Sequence, residues 1–257
     1  MRAEDYEYLY DLEEDFWWFA GMREISATLL DPVFASAKDR LILDAGCGTG
    51  GMLEWLKRYA GGGGGVVGID FVSDPLRFCR QRRHELLAQA SATDLPFADS
   101  TFDLVTSFDV LVQLPGEQAD ERAIGEMYRV LKPGGVAFVR VAAYEWMRSG
   151  HDEALGTQRR YTLGVLTERM RRAGFRPVRA TYANALLLPA AALRRLVLKR
   201  VGLADSGSDV KPLPPQFQWL NSLLTQTLRG EAHFLKRPRA TLRAGLSAIC
   251  VAEKPGG

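Results

Sequence analysis

Glycines 46, 48 and 51 follow the apolar run Leu41-Ile42-Leu43-Asp44, within Asp44-Ala45-Gly46-Cys47-Gly48-Thr49-Gly50-Gly51. Glycines at this spacing let a backbone turn tightly after a strand and bring its N–H groups close to a ligand at a helix N-terminus. The G-x-G-x-x-G pattern alone suits a dinucleotide equally well. Asp44 separates the two chemistries. Two residues ahead of Gly46, at the carboxyl edge of the strand, a carboxylate would repel a pyrophosphate and attract an ammonium group. Asp70 ends the next apolar run, 24 positions after Gly46, where an acid can accept hydrogen bonds from both hydroxyls of a ribose. Phe71 beside it could cover one face of a base. Asp94, in Ala92-Thr93-Asp94-Leu95-Pro96-Phe97, could accept from an exocyclic amino group. Three acids at strand ends, around one glycine turn, are far more specific than the turn alone.

The elements that must hold these residues read as a helix followed by alternating strands and helices, the pattern of a parallel sheet covered on both faces. The spacing predicts strands at 41–44, 66–70, 102–107, 136–141 and 177–182, and a last strand at 246–252. Helices are expected at 52–59, 74–89, 117–131 and 163–173. Asp74 and Pro75 look like the cap and first residue of the second of these. Lys132-Pro133-Gly134-Gly135 stops the third, because proline cannot continue a helix and glycine permits the reversal. Val136–Val141 reads as a wholly apolar strand, as a doubly covered sheet requires. Residues 184–243 interrupt the pattern with a basic helix (190–200), a Gly/Ser/Asp/Pro loop and a second amphipathic helix (217–235). An aromatic-rich amphipathic stretch with Tyr6, Tyr8, Tyr10, Phe16, Trp17, Trp18 and Phe19 precedes the first strand.

Over residues 38–182 and the last strand the chain resembles the class I S-adenosylmethionine-dependent methyltransferases. The matching segments are Asp44–Gly50, Gly68-Ile69-Asp70, Asp94-Leu95-Pro96-Phe97, Phe102-Asp103-Leu104-Val105 and Tyr128-Arg129-Val130-Leu131-Lys132-Pro133-Gly134-Gly135. The resemblance implies an α/β, doubly wound, seven-stranded and mostly parallel sheet with its last strand antiparallel, and S-adenosylmethionine as cofactor. It would place Gly46, Cys47 and Gly48 at the methionine end, Asp70 on the ribose with Phe71 over the adenine, and Asp94 with Leu95 on the adenine. Phe108 and Gln113 would flank the cofactor. Phe16-Trp17-Trp18-Phe19 with Arg23, and His151–Gly156 followed by Arg159-Arg160-Tyr161, are similar to segments of methyltransferases in polysaccharide and natural-product pathways. In that group the N-terminal aromatic helix tends to act as a lid, here 1–30, with 184–243 as a cap on a single domain spanning 1–257. Arg23 is then a candidate partner for the cofactor carboxylate, or an ordinary surface ion pair with a nearby acid.

One position departs from the common pattern: many relatives carry Glu-His where Val112-Gln113 stands. Glutamine cannot take a proton near neutral pH, so a base at 113 is in doubt. His151 and Asp152, on the loop after the fifth strand, are the candidate bases, with Tyr161 and His233 behind them. His84 reads as a solvent-facing residue in mid-helix, and the arginines at 171, 172, 176 and 179 read as solvated surface.

The totals narrow the partners. A composition 47% hydrophobic and 25% charged is that of a packed globular protein rather than a disordered one. The net charge of +2 is too small to make nucleic acid the main partner. Cys47, Cys79 and Cys250 are odd in number and widely spaced, which argues for reduced thiols and a cytoplasmic location. The acidic opening Met1-Arg2-Ala3-Glu4-Asp5 predicts no signal peptide. Arg194, Arg195, Lys199 and Arg200 alternate with leucines and valine, so peripheral contact with lipid stays open beside a plain solvated face. The expected function is methyl transfer to an oxygen or nitrogen of a sugar, glycolipid precursor or secondary metabolite. A peptide or protein acceptor, and a cofactor-binding chain without methyl transfer, are the alternatives; the oligomeric state is not readable.

Overall fold

The structure, a computed structural model, describes residues 3–34, 38–201 and 218–256. Its seven strands form one sheet in the order β3-β2-β1-β4-β5-β7-β6. These are β1 Leu41–Ala45, β2 Gly65–Asp70, β3 Leu87–Gln89, β4 Phe102–Phe108, β5 Leu131–Ala142, β6 Arg176–Ala183 and β7 Ser247–Glu253. The pairs from β3 through β5 are parallel, and β7 runs antiparallel between β5 and β6. The reversal of strand order at β1 and β4 opens a crevice at their carboxyl ends, where ligands of such sheets bind.

Side chains alternate between the faces of each strand. Ile42, Leu104, Val136, Phe138, Ile249 and Val251 face one apolar layer, while Leu43, Val105, Ala137, Val139 and Cys250 face the other. The second layer is closed by α5 (Ala119–Val130) and α7 (Leu163–Arg172). The first is closed by α2 (Trp17–Leu30), α3 (Gly51–Ala60) and α9 (Gln218–Leu235). Met22, Ile25, Leu29 and Leu30 of α2 are essentially inaccessible, and burial of side chains this size contributes about 1.5–3 kcal/mol each. Contact between α2 and α9 depends on Gly21, where a Cβ would lie 2.3 Å from Leu228 Cδ1.

Several expectations are corrected. The aromatic N-terminal stretch is two helices, α1 (Ala3–Leu12) and α2, separated by a turn over 13–16. The helix expected at 74–89 is α4, Ser73–Gln81, preceded by Val72 and not capped by Asp74. Arg83 then takes φ +63°, and Leu87–Gln89 pair with Gly68–Asp70 as β3. Tertiary partners override helix propensity there. Arg82 donates to the carbonyls of Tyr10 and Thr49, and His84 is buried rather than solvent-facing, beside Gly50. The fifth strand is not wholly apolar, because Arg140 lies buried within it. Arg179 is no solvated surface residue either: its guanidinium donates to the carbonyls of Leu235, Pro238 and Ala240, tying down the end of α9. Of the basic helix, α8 (Leu188–Val201), the side chains beyond 195, Lys199 and Arg200 among them, lie outside the described residues, as does the loop at 202–217.

Candidate functional site

The glycine turn is clamped to its neighbour strand, since the N–H groups of Gly46 and Cys47 both donate to Ile69 O at 2.9 and 2.8 Å. Gly46 sits at φ +95°, and a Cβ there would stand 2.2 Å from Val110 Cγ2. Glycine is therefore required on two counts, conformation and the close approach of the turn that follows β4.

Asp44 is buried beneath this turn, its Oδ1 accepting from Thr106 Oγ1 at 2.7 Å. Burial pushes its carboxyl up to about 7, against the opposing pull of Thr106 and Arg140, with Glu13 and Asp70 adding to the rise. Asp70 is fixed by two backbone donors, Gly48 N–H to Oδ2 and Val72 N–H to Oδ1, both at 3.0 Å. Its carboxyl is likewise raised by burial, opposed by those two hydrogen bonds. Phe71, 74% exposed, presents a free ring beside it. Asp94 is exposed, whereas Leu95 is buried and its N–H is already given to Glu126 Oε2 at 2.8 Å. Asp94 is thus the loop's accessible polar group. Cys47 turns inward, its Sγ 3.9 Å from Cys79 Sγ, and the hydrogen bond with Cys79 together with burial raises its thiol well above the ordinary range.

The N-terminal turn reaches this site by long-range polar contacts. The buried carboxylate of Glu13 accepts from Gly51 N–H at 2.9 Å, occupying the N-terminus of α3. Arg82 bridges Glu14, at 2.8 Å, and Tyr10 O to Thr49 O behind the glycines. Arg23 donates to the carbonyls of Glu13 and Glu14, so its guanidinium braces the 13–16 turn. No local pattern marks Glu13 or Arg82.

At the end of β4, the Phe108 ring packs against Phe138 in a tilted arrangement, and Asp109 adopts φ +59°. Arg140 pairs with Asp109 at 2.8 Å and lies 4.6 Å from the Trp18 ring and 5.0 Å from the Phe108 ring. A lone cation inside Val136–Val141 was the one available sequence signal for this group. Gln113 is exposed, with its N–H bonded to Val110 O.

Two candidate bases are occupied elsewhere. Asp152 is buried, closes the capping box at the start of α6 (Gly150–Leu155), and pairs with Arg160 at 2.7 Å. Burial would raise its carboxyl, but the hydrogen bond and charge of Arg160 outweigh that and hold it below the ordinary value. A carboxylate held down in this way is a poor proton acceptor. Tyr161 is buried with its hydroxyl on Asp120 Oδ2, in a group with Arg159 and Arg169, and burial pushes it up to about 12. It builds the protein interior. His151 belongs to α6, and its side chain lies outside the described residues. His233 is exposed on α9, within the cap segment.

Residues 43–139 match the family model described as a methyltransferase domain. Over 127 residues the chain is 35% identical to a demethylmenaquinone methyltransferase of Renibacterium salmoninarum, covering 49% of this chain and 51% of that protein. It is also 35% identical over 133 residues to a ubiquinone/menaquinone biosynthesis C-methyltransferase of Haemophilus ducreyi, covering 49% and 50%. The chain thus spans about half the length of these relatives. Among solved structures it resembles a SAM-dependent methyltransferase of Archaeoglobus fulgidus, at 17% identity and TM-score 0.58, covering 96% of this chain and all of that one. It also resembles the cyclase SpnF, at 23% identity and TM-score 0.56, covering 91% and 81%. At these identities the structural likeness establishes the fold, and a fold shared by a methyltransferase and a cyclase does not by itself choose a reaction.

Proposed function

We propose that the chain, whose residues 43–139 match a methyltransferase-domain model, is a class I S-adenosylmethionine-dependent methyltransferase that transfers the cofactor's methyl group to a small-molecule acceptor, with a quinone-related ring as the first candidate. The observation that carries this reading is the buried Asp44 beneath a glycine turn whose next neighbour, Asp70, is anchored by Gly48 and Val72. These groups fit the cofactor's chemistry. Asp44 suits the ammonium of the methionine end, Asp70 the two ribose hydroxyls, Phe71 an adenine face, and Asp94 the adenine amino group. When bound, the cofactor supplies an activated methyl on a sulfonium, so the protein has to align the acceptor and exclude water.

The ring acceptor is suggested by the quinone methyltransferases among the relatives, and an attacking carbon then stands beside oxygen and nitrogen. Sugars, glycolipid precursors, other natural products and peptides are the competing acceptors. The lid role falls on α1 and the 13–16 turn, because Leu9 reaches to 4.0 Å of a Gly48 Cβ position while α2 is built into the core. Three buried free thiols suit a reducing, cytoplasmic setting. Among the described residues no helix is long and apolar enough to cross a membrane.

Incubation with methyl-labelled S-adenosylmethionine and a panel containing dihydroxynaphthalene, a phenol, a nucleotide sugar and a peptide tests the reading. Label is expected on the ring compounds. Label on the peptide alone, or bound cofactor with no transfer to any acceptor, would favour the protein-modifying or the non-methylating alternative.

Asp44 adds a pH signature. Its raised carboxyl binds an extra proton in the native state, so its contribution to stability is full below about 4 and is lost as pH rises through about 7. Cofactor binding has the opposite dependence, since an ammonium needs the ionised form. Affinity for S-adenosylhomocysteine should rise about tenfold between about pH 6 and 8, as follows for one group titrating near neutrality. Titration calorimetry across that range measures it, and Asp44→Asn should abolish the slope.

A further inference from the structure

We propose that Asp109 is the group that receives the acceptor's hydroxyl, that Arg140 is the residue positioning it, and that the acceptor is a planar ring bearing a free hydroxyl, a phenol or hydroquinol. This rests on the methyl-transfer reading above.

Asp109 follows directly on β4, and its neighbour Val110 is the residue packed against Gly46. The turn that carries Asp109 therefore packs on the glycine loop, the proposed methionine end of the cofactor site. Its backbone is held in the left-handed region, φ +59°, with its N–H donating to Arg140 O at 2.9 Å. Conformations of this kind cluster where a side chain has to be aimed at a ligand. Arg140 Nε donates to Oδ2 at 2.8 Å, and Arg140 Nη2 stands 2.8 Å from the same oxygen in the ion pair. Among the described residues no hydrogen bond reaches Oδ1. The side chain is 27% accessible, and in this proposal it is the second oxygen that accepts from a group entering the crevice.

The surroundings select the donor. The Arg140–Asp109 pair is neutral overall, so no net charge draws a cationic acceptor, and a neutral hydroxyl can give its hydrogen bond to the second oxygen without leaving a charge uncompensated. Trp18 is half-buried over Arg140, and Phe108 lies on the guanidinium as well. These rings make an aromatic wall against which a planar molecule can stack. As the bond from acceptor to methyl carbon forms and the methyl–sulfur bond breaks, the ring hydroxyl's proton passes to Asp109 Oδ1 and from there to solvent. The products are methylated acceptor, S-adenosylhomocysteine and that proton. For an attacking oxygen the released proton is the hydroxyl's own. For an attacking ring carbon the hydroxyl proton leaves first, and the C–H proton at the methylated carbon is then lost as the oxygen is reprotonated and the ring regains aromaticity, so the products are the same and the assignment holds for either atom.

The test uses the full chain saturated with S-adenosylhomocysteine and titrated by calorimetry with dihydroxynaphthalene and with dimethoxynaphthalene, which lacks the donor. Hydrogen bonds to a charged group differ from their absence by about tenfold or more in affinity, so the native protein should prefer the dihydroxy compound by at least about that factor. Asp109→Asn turns an amide N–H₂ outward once its oxygen faces Arg140, and should erase the preference while leaving S-adenosylhomocysteine affinity within about threefold, below the range of one charged hydrogen bond. Labelled methyl transfer to dihydroxynaphthalene should fall about 100-fold or more in kcat, in line with removal of a group acting on the transferred proton. Arg140→Met should lose the preference too, and Arg140→Lys should restore part of it. Equal binding of the two naphthalenes by the native protein, or an unchanged preference in Asp109→Asn, overturns the proposal. The heat of S-adenosylhomocysteine binding reports separately on the cofactor reading.

Discussion

Asp70→Ala is expected to weaken S-adenosylhomocysteine binding by about 100-fold or more, since a carboxylate facing two ribose hydroxyls contributes hydrogen bonds worth about 1.5–3 kcal/mol each. The substitution acts twice. It removes the proposed ribose acceptor, and it deprives the N–H groups of Gly48 and Val72 of the oxygens that fix the glycine turn. Asp70→Asn keeps one oxygen and should fall between the two proteins. Calorimetric titration measures the loss, and affinity within threefold of the native value would remove Asp70 from the site. Circular dichroism controls for folding, because Asp70 lies at the end of β2 and the strands around it are held by their own ladder.

Asp120→Ala should be the most damaging single change to stability. Asp120 is fully buried on α5 and receives Arg159 at 2.6 Å, Arg169, and the Tyr161 hydroxyl. Removing one partner of a buried ion group leaves the others uncompensated, at a cost of about 3–5 kcal/mol. Arg159 and Arg169 keep 20% and 26% of their side chains accessible, so water takes up part of the loss and the lower end, about 3 kcal/mol, is the expectation. For a chain of this size that corresponds to a fall in melting temperature of about 6–12 °C. Thermal unfolding monitored by tryptophan fluorescence would show it. The effect should extend to the crevice, because Arg159 also donates to the carbonyls of Leu114 and Gly116 in the segment after β4. A shift under 1 °C would show that the charge cluster contributes nothing net.

The outcome for particular residues explains how far the sequence can be read. The helix before Lys132-Pro133-Gly134-Gly135 ends at Val130, one residue short of its expected bound, because proline cannot continue a helix. Those four residues, however, belong to β5, which starts at Leu131 rather than at 136. The antiparallel last strand lies within one residue of its expected bounds. By contrast, 82–89 looked helical and is not, since Arg82 and His84 are drawn to partners on the N-terminal turn and the glycine loop. Asp152 and Tyr161 looked free to do proton chemistry because loop position carries no information about which arginine will stand opposite.

What the residues alone determined is the strand–glycine–helix unit with its acids at strand ends, and with it the doubly wound sheet. Those features depend on alternation and turn chemistry over a few consecutive positions. Only the tertiary structure decided which charges are occupied and which remain accessible. Glu13 meets Gly51 across 38 positions and Arg82 meets Tyr10 across 72, while Arg140 is brought under Trp18 by the packing of α2 on the sheet. A charged side chain takes its role from the group it faces after folding, and that group is set by the packing of distant segments, which no local spacing encodes.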